Sequence, residues 1–299
     1  MIIIPADADI LPPTNDYIFK ALLTHPDAER VLIKLISVVI ERPVISAQVR
    51  NNELPTMDAS QKNERLDVNC VIDGGDQVNV EMQAARIDEI MPGHKSFKNK
   101  SVYYMADLHT SQKSKGLDYC DLVRTYQITF CTYTVFPDRA DFVCRSALRT
   151  DKGELVSDQL NMIIIELSKL KKTLKKSEEK LTDLEIWSLF FKHAQDPKYR
   201  DLINTLINKE EELSMAATLL MEISQDERVR AHARSRRMFE NDMAHNLSIA
   251  EKKGEMRGEK RGEKRGIMNA AMGMKAEGID PYIISKITGL SIDDILNPK

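Results

Sequence analysis

An α/β domain on a mixed sheet, followed by an α-helical C-terminal region, is the fold predicted by three features of this 299-residue chain. An apolar run with helical spacing opens it, and two alternating segments joined by a glycine turn come next. Beyond about residue 168 the periodicity is helical throughout. Helix, strand, hairpin, helix, strand is the order of a layered α/β core.

Each element has its own signal. Residues 14–41 place Ile18, Leu22, Val31, Leu32, Leu35, Ile36 and Val39 at roughly helical spacing. Thr14 or Asn15 can cap the start, Pro43 follows the end, and His-Pro-Asp at 25–27 divides the stretch into two helices. Residues 44–50 read as a short strand. In 64–83, Leu66, Val68, Cys70 and Ile72 alternate with Arg65, Asp67 and Asn69. After the Asp-Gly-Gly-Asp turn, Val78, Val80 and Met82 alternate with Gln77, Asn79, Glu81 and Gln83. That is a β-hairpin with one apolar and one polar face. Residues 95–116 read as a polar-fronted helix ended by Gly116, and 121–135, 141–148 and 160–167 as strands.

The C-terminal part is expected to be helical, from 168–180 into 181–194, then as one amphipathic helix over 204–224. The Gly-Glu-Met-Arg, Gly-Glu-Lys-Arg, Gly-Glu-Lys-Arg repeat has glycines at 254, 258, 262 and 266. Interior glycine costs ~1 kcal/mol relative to alanine. Like charges at i, i+4 (Glu255, Glu259, Glu263 and Arg257, Arg261, Arg265) add to the penalty. The repeat is therefore expected as a frayed or partner-stabilised helix, a linker first. After it, Asp280 caps a helix begun by Pro281 and ended by Gly289, and Ser291 caps another. The expected division is a core over 1–167, a helical extension over 168–225, a charged linker over 226–266 and a small helix-turn-helix-like unit over 267–299.

Composition narrows the class. Hydrophobic residues at 42% and charged residues at 30% describe a globular protein, and the net charge of −3 does not make the whole surface a phosphate binder. No run of eighteen apolar residues occurs, and the first ten residues lack a basic leader, so neither a membrane span nor a secretory signal is expected. Cys70, Cys120, Cys131 and Cys144 have no metal-type spacing and read as reduced core thiols of a cytoplasmic protein.

The hairpin carries the candidate chemistry. Glu81 and Gln83 share a strand face by period two. Whether Asp67 joins them depends on register parity. A two-residue Gly74-Gly75 turn separates the carboxylates, whereas an odd loop, for example Gly74-Gly75-Asp76, keeps both apolar rows together. That loop pairs Asp67 with Gln83, Asn69 with Glu81 and Val68 with Met82, leaving Asp67 and Glu81 diagonal at ~7–8 Å. Two such side chains can converge on one Mg²⁺. Three polar residues on a solvent face are the alternative that spacing alone leaves open.

Arg-Leu-Asp at 65–67 and Val-Asn-Val-Glu-Met-Gln at 78–83 sit between Thr-Asn-Asp-Tyr-Ile-Phe-Lys at 14–20 and a helix containing Tyr103-Tyr104. With Arg-Thr-Tyr-Gln-Ile-Thr-Phe at 124–130, Ile-Glu-Leu-Ser-Lys-Leu at 165–170, Trp187, the glycine repeat and Ile-Thr-Gly-Leu-Ser at 287–291, the chain resembles the recombination-promoting nucleases, or PD-(D/E)XK nuclease-family transposases. The resemblance implies a restriction-endonuclease-like PD-(D/E)XK core and Mg²⁺-dependent (or Mn²⁺-dependent) hydrolysis of DNA, linked to recombination or mobile DNA. It implies Asp67 and Glu81 as metal ligands, with the Met82 carbonyl nearby and Asp16 as a supporting carboxylate. For Asp16, a favourable first-turn charge is the alternative. Gln83 stands where the wider class has lysine. Glutamine can orient a water but cannot stabilise developing charge as an ammonium does, so Lys98 or Lys100 is expected to lean in from the next helix.

DNA is the expected partner. Five arginines within 228–237 (Arg228, Arg230, Arg234, Arg236 and Arg237) are the phosphate-contact candidates, a solvated helix face being the alternative. The last helix carries Asp293 and Asp294, which suits packing or homo-oligomer formation better than groove reading. His94 and His109 read as surface or helix-packing residues. The rival function is a catalytically weakened DNA-binding or self-assembling protein on the same fold.

Overall fold

The computed structural model describes residues 2–50, 68–84, 96–112 and 118–297. Asp67 and His94 lie outside them, and so does the side chain of Arg236. The helix α1 (Asp16–Leu23) starts at Asn15, whose side chain accepts from the amides of Tyr17 and Ile18. After the His-Pro-Asp break comes α2 (Glu29–Ile40), which buries Val31, Leu32, Leu35, Ile36 and Val39 along one stripe.

The strands are β1 (Ala47–Val49), β2 (Val68–Ile72), β3 (Gln77–Gln83), β4 (Thr125–Cys131), β5 (Val143–Arg149) and β6 (Leu155–Glu166). Among the described residues they form one mixed sheet, ordered β1-β2-β3-β4-β6-β5. β1, β2 and β3 are antiparallel, β3–β4 and β4–β6 are parallel, and β5 returns antiparallel to β6. Parallel neighbours require a crossover, and α3 (Ser96–Thr110) supplies it between β3 and β4. This is an α/β core on a mixed sheet, followed by helices, as the sequence leads one to expect.

The hairpin register corrects one expectation. Val68 pairs with Val80, Asn69 with Asn79 and Cys70 with Val78. That is two residues away from the pairing of Val68 with Met82 and Asn69 with Glu81. The turn is Asp73-Gly74-Gly75, closed by the Ile72 amide donating to the Asp76 carbonyl at 3.0 Å, with Gly74 and Gly75 at φ 80° and 87°. Asp76 is instead a buried residue directly before β3. Its carboxylate accepts from Arg42 Nη2 at 2.8 Å and from the Arg124 amide at 3.1 Å. Asp73 takes the exposed corner, accepting from the Ile45 amide at 2.8 Å. The loop is still odd, so parity holds and the two apolar rows share a face.

That face is the main core. Val68, Cys70, Ile72, Val78, Val80, Met82, Ile128, Phe130, Ile163 and Ile165 pack there with α1, α2 and three later helices. These are α4 (Asp183–His193), α5 (Arg200–Ile207) and α6 (Glu211–Gln225). Phe19, Phe130 and Phe191 meet at centroid distances of 5.2 to 5.7 Å, with Trp187 beside Phe191. Two helical expectations change here. Residues 168–180 form short 3₁₀ turns, tied down by Lys169 on Glu166 and Lys176 on Glu185. The 204–224 helix breaks at 208–210, where the Asn208 side chain accepts from the Ile2 amide and donates to the Ile2 carbonyl, and Glu210 binds Lys34 and Trp187. Burial raises the Glu210 carboxyl above its ordinary range. Burial also pushes the Cys70 thiol up to about 12 and raises that of Cys131 further, so both are inert core thiols. Cys120 departs from expectation, being exposed on a 3₁₀ turn.

The next helix, α7 (Glu227–Ala276), runs 50 residues and includes the glycine repeat. The repeat lies within it as continuous helix. Asp226 caps the helix, accepting from the amides of Arg228 and Val229 at 2.8 and 3.0 Å. Its first turns pack on the core through Val229 and Ala233, and His232 stacks on Tyr17 at 4.8 Å. Nucleation is the costly step in helix formation and propagation is cheap, so the repeat extends a helix already begun. The chain divides into two compact units, Met1–Glu240 and Asn241–Lys299. The second has its own small core of Ala271, Ile284 and Ile295. In it, α8 (Pro281–Thr288) is capped by Asp280 and ends at Gly289 (φ 72°), and α9 (Ile292–Leu296) is capped by Ser291.

A Cβ added at Gly254, Gly258, Gly262 or Gly266 meets nothing within 4 Å. Replacing all four by alanine should therefore stabilise α7 by ~1 kcal/mol per site. Circular dichroism should show helical signal persisting to higher temperature. A lower melting temperature would mean that the repeat is not helical in solution.

Candidate active site

Period two puts the even-numbered residues of β3 into the core and turns Asn79, Glu81 and Gln83 to the other face. The parallel register continues this row onto β4, pairing Asn79 with Gln127, Glu81 with Thr129 and Gln83 with Cys131. This face is not solvated. Glu81 is 6% exposed, and Asn79, Gln127 and Thr129 are buried beneath α3. Phe97 on α3, with Cys131, Tyr133 and Ile164, makes a second apolar cluster beside the polar row.

Hydrogen bonds run along the row in one direction. Asn79 Nδ2 donates to Gln127 Oε1 at 2.9 Å, Gln127 Nε2 to Thr129 Oγ1 at 3.4 Å, and Thr129 Oγ1 to Glu81 Oε1 at 3.4 Å. The other oxygen of Glu81, Oε2, is 3.9 Å from Lys100 Nζ on α3. The structure thus brings together two residues singled out in the sequence, Glu81 and Lys100, with Gln83 next along the same strand face. Lys98 points elsewhere, its ammonium 4.6 Å from the Phe136 ring centroid. Gln127 and Thr129 were missed as partners of Glu81. The alternation of Thr125, Gln127 and Thr129 with Tyr126, Ile128 and Phe130 was the signal that could have found them.

The end of α3 is anchored to the start of β4. Gln112 donates to the Val123 carbonyl at 3.1 Å and to Thr125 Oγ1 at 3.0 Å, and accepts from the Val123 amide at 3.0 Å. His109 packs beside it with Nδ1 3.0 Å from Thr125 Oγ1, and burial lowers its pKa. It is a helix-packing residue, as expected.

Asp16 is the first residue of α1, on the helix layer that covers the apolar face. Its Oδ1 accepts from the Tyr17 amide at 2.8 Å, the first-turn bond a carboxylate makes at a helix start. One turn on, Lys20 is 2% exposed, a burial that the sequence did not signal. Among the described residues no group of three or more His, Cys, Asp or Glu side chains is placed to hold a metal.

The arginines of 228–237 divide. Arg230 binds the Asp9 carboxylate and donates to the Ser224 carbonyl at 2.8 Å, so it ties α7 to the core. Arg228, Arg234 and Arg237 are exposed. A cleft of about 760 Å³ beside Arg230 and Arg234 also holds Asp9 and Glu227, so its charge is mixed.

A family model described as PD-(D/E)XK nuclease family transposase matches residues 13–250. The chain belongs to this family. The match takes in the whole sheet and the first half of α7, with Asp16, Asp67, Glu81, Gln83, Lys100 and the arginine run. It stops short of α8 and α9, and so of Ile-Thr-Gly-Leu-Ser at 287–291. No curated protein and no solved structure matches the chain. A nuclease- or transposase-type function follows from the family. No helix among the described residues is long and apolar enough to cross a membrane.

Gln112→Ala tests how α3 is held over the polar row. It removes both partners of the Val123 backbone and should cost about 1–3 kcal/mol in chemical denaturation. Amide exchange at Val123 should accelerate. Unchanged stability and exchange would show that the anchor lies elsewhere.

Proposed function

We propose that this protein hydrolyses DNA phosphodiester bonds at a divalent-cation site built on Glu81 and Asp67. The observation that carries the reading is the pairing of Glu81 with Lys100. A buried carboxylate on the (D/E)XK strand of a nuclease family has an ammonium 3.9 Å away, supplied by the next helix. Asp67 directly precedes Val68.

The donor chemistry fits Mg²⁺ or Mn²⁺, hard ions that take carboxylate and carbonyl oxygens. Asp67 and Glu81 would hold the ion, with the Met82 carbonyl and Asp16 as supporting oxygens. When bound, it polarises the phosphoryl oxygens and activates water. The chain's own residues do the rest. Thr129 orients the Glu81 carboxylate by donating to Oε1. Lys100 supplies positive charge where negative charge grows on the phosphoryl group. Gln83 holds the attacking water by hydrogen bonding, without a charge of its own. In this division of labour, the lysine absent from position 83 is replaced from α3.

Plasmid nicking by the full chain tests this reading. Activity should need Mg²⁺ or Mn²⁺, vanish with EDTA, and be abolished in Asp67→Ala and Glu81→Ala while circular dichroism is unchanged. Lys100→Ala should lose on the order of 10²–10³-fold, the size of one lost charge-stabilising donor, and far more than Gln83→Ala. Asp16→Asn should lower activity only if Asp16 supports the ion. Full activity in Glu81→Ala would sink the proposal.

Arg228, Arg234 and Arg237 are proposed to bind phosphates outside the site, with Arg230 reserved for Asp9. Replacing the three by glutamine should reduce the slope of log affinity against log salt by ~0.9 for each duplex phosphate that is no longer neutralised. An unchanged slope would assign these residues to a solvated helix face.

A further inference from the structure

The outward side of α3 carries a feature that phosphodiester hydrolysis does not require. Tyr103 is 67% exposed, with Val102 beside it also exposed. One exposed apolar side chain needs no explanation; here the surroundings do. The rings of Tyr103 and Tyr104 lie 5.8 Å apart, inclined at 59°. Lys100 Nζ lies 5.3 Å from the centre of the Tyr104 ring and 3.9 Å from Glu81 Oε2. A continuous path therefore leads from the candidate site through one ammonium onto two aromatic rings.

Aromatic faces beside a positive charge that can meet a phosphate are how proteins hold unpaired bases. A continuous duplex keeps its base faces stacked inside and offers none to a tyrosine. An unpaired nucleotide offers both.

We propose that Tyr103 and Tyr104 form a stacking step for an unpaired base of the strand whose phosphate lies at Glu81 and Lys100. The preferred substrate is then DNA with a single-stranded or unpaired nucleotide next to the scissile bond, rather than continuous duplex. This rests on the nuclease reading of Glu81 and specifies its substrate class. Lys100 has two tasks in it, one at the phosphate and one holding the Tyr104 ring.

Binding measured without divalent cation separates this idea from catalysis. The full chain in EDTA is titrated against three fluorescent oligonucleotides: a single strand, its blunt duplex, and the duplex with one internal unpaired nucleotide. Tyr103→Ala should weaken binding to the single strand and to the interrupted duplex roughly 5- to 150-fold, the range for loss of one base–aromatic stack. Binding to the blunt duplex should change less than about twofold, and Tyr103→Phe should restore the rest. A 2-aminopurine at the unpaired position should be quenched by the wild type and by Tyr103→Phe, but not by Tyr103→Ala. Equal losses on all three probes, or no loss on any, would overturn the stacking step even if Glu81-dependent nicking stands. Tyrosine-dependent binding without any Glu81-dependent nicking would instead overturn the hydrolytic reading and leave the stacking step in place.

Discussion

Two rows of apolar side chains on the hairpin, Val68, Cys70 and Ile72 on one strand and Val78, Val80 and Met82 on the other, must be buried on the same side of the sheet. Alternation has a period of two residues, so this requirement leaves no freedom for the residues in between. Once Val80 and Met82 face the helices of the main core, Asn79, Glu81 and Gln83 face away from them. Parallel pairing then passes the same division to β4, with Ile128 and Phe130 on one side and Gln127 and Thr129 on the other. A slip of one residue would exchange core and site together. The candidate chemistry is thus a by-product of how the hydrophobic core is satisfied, and the three-residue turn at Asp73-Gly74-Gly75 is the device that sets the parity.

The polar face is an expensive thing to bury. Among the described residues, Asn79 Oδ1 and Ser101 Oγ have no hydrogen-bond partner, and each buried group left so costs stability. Sites at which a fold departs from its best packing are where function is expected, and this one surrounds the acidic residue of the family's strand. By contrast, the buried ion pair of Glu166 with Lys169 has a structural task. Glu166 accepts from the amides of Val135 and Phe136 while Lys169 reaches the Phe136 carbonyl, fixing the loop after β4.

What could be read from the chain alone was decided by range. Caps were legible because they act within four residues: Asn15, Asp280, Gly289 and Ser291 all sit where their chemistry places them. The parity of the hairpin was legible for the same reason, since it needs only the alternation of its strands. The register was not. Whether Asp73 or Asp76 belongs to the turn depends on Arg42 and Arg124, distant in sequence, capturing Asp76. The break before α6 likewise depends on Lys34 and Trp187 holding Glu210. Lys100 could be named from composition, but its distance from Glu81 comes from α3 crossing the sheet. That the glycine repeat is helical could be expected from the chain, but its place inside one 50-residue helix could not, because propensity describes an isolated segment.

That continuity gives the repeat an arithmetic of its own. Four residues advance an α-helix by about 6 Å and turn it by about 400°, a full turn plus roughly 40°. Gaining or losing one Gly-Glu-Lys-Arg unit, the sort of change that tandem duplication produces in a coding sequence, would leave the helix unbroken. It would shift all that follows by one step along the axis and a ninth of a turn around it. Among the described residues, a side chain added at any of these glycines would meet no neighbour within 4 Å. Each four-residue unit is thus a fixed increment of helix length and phase.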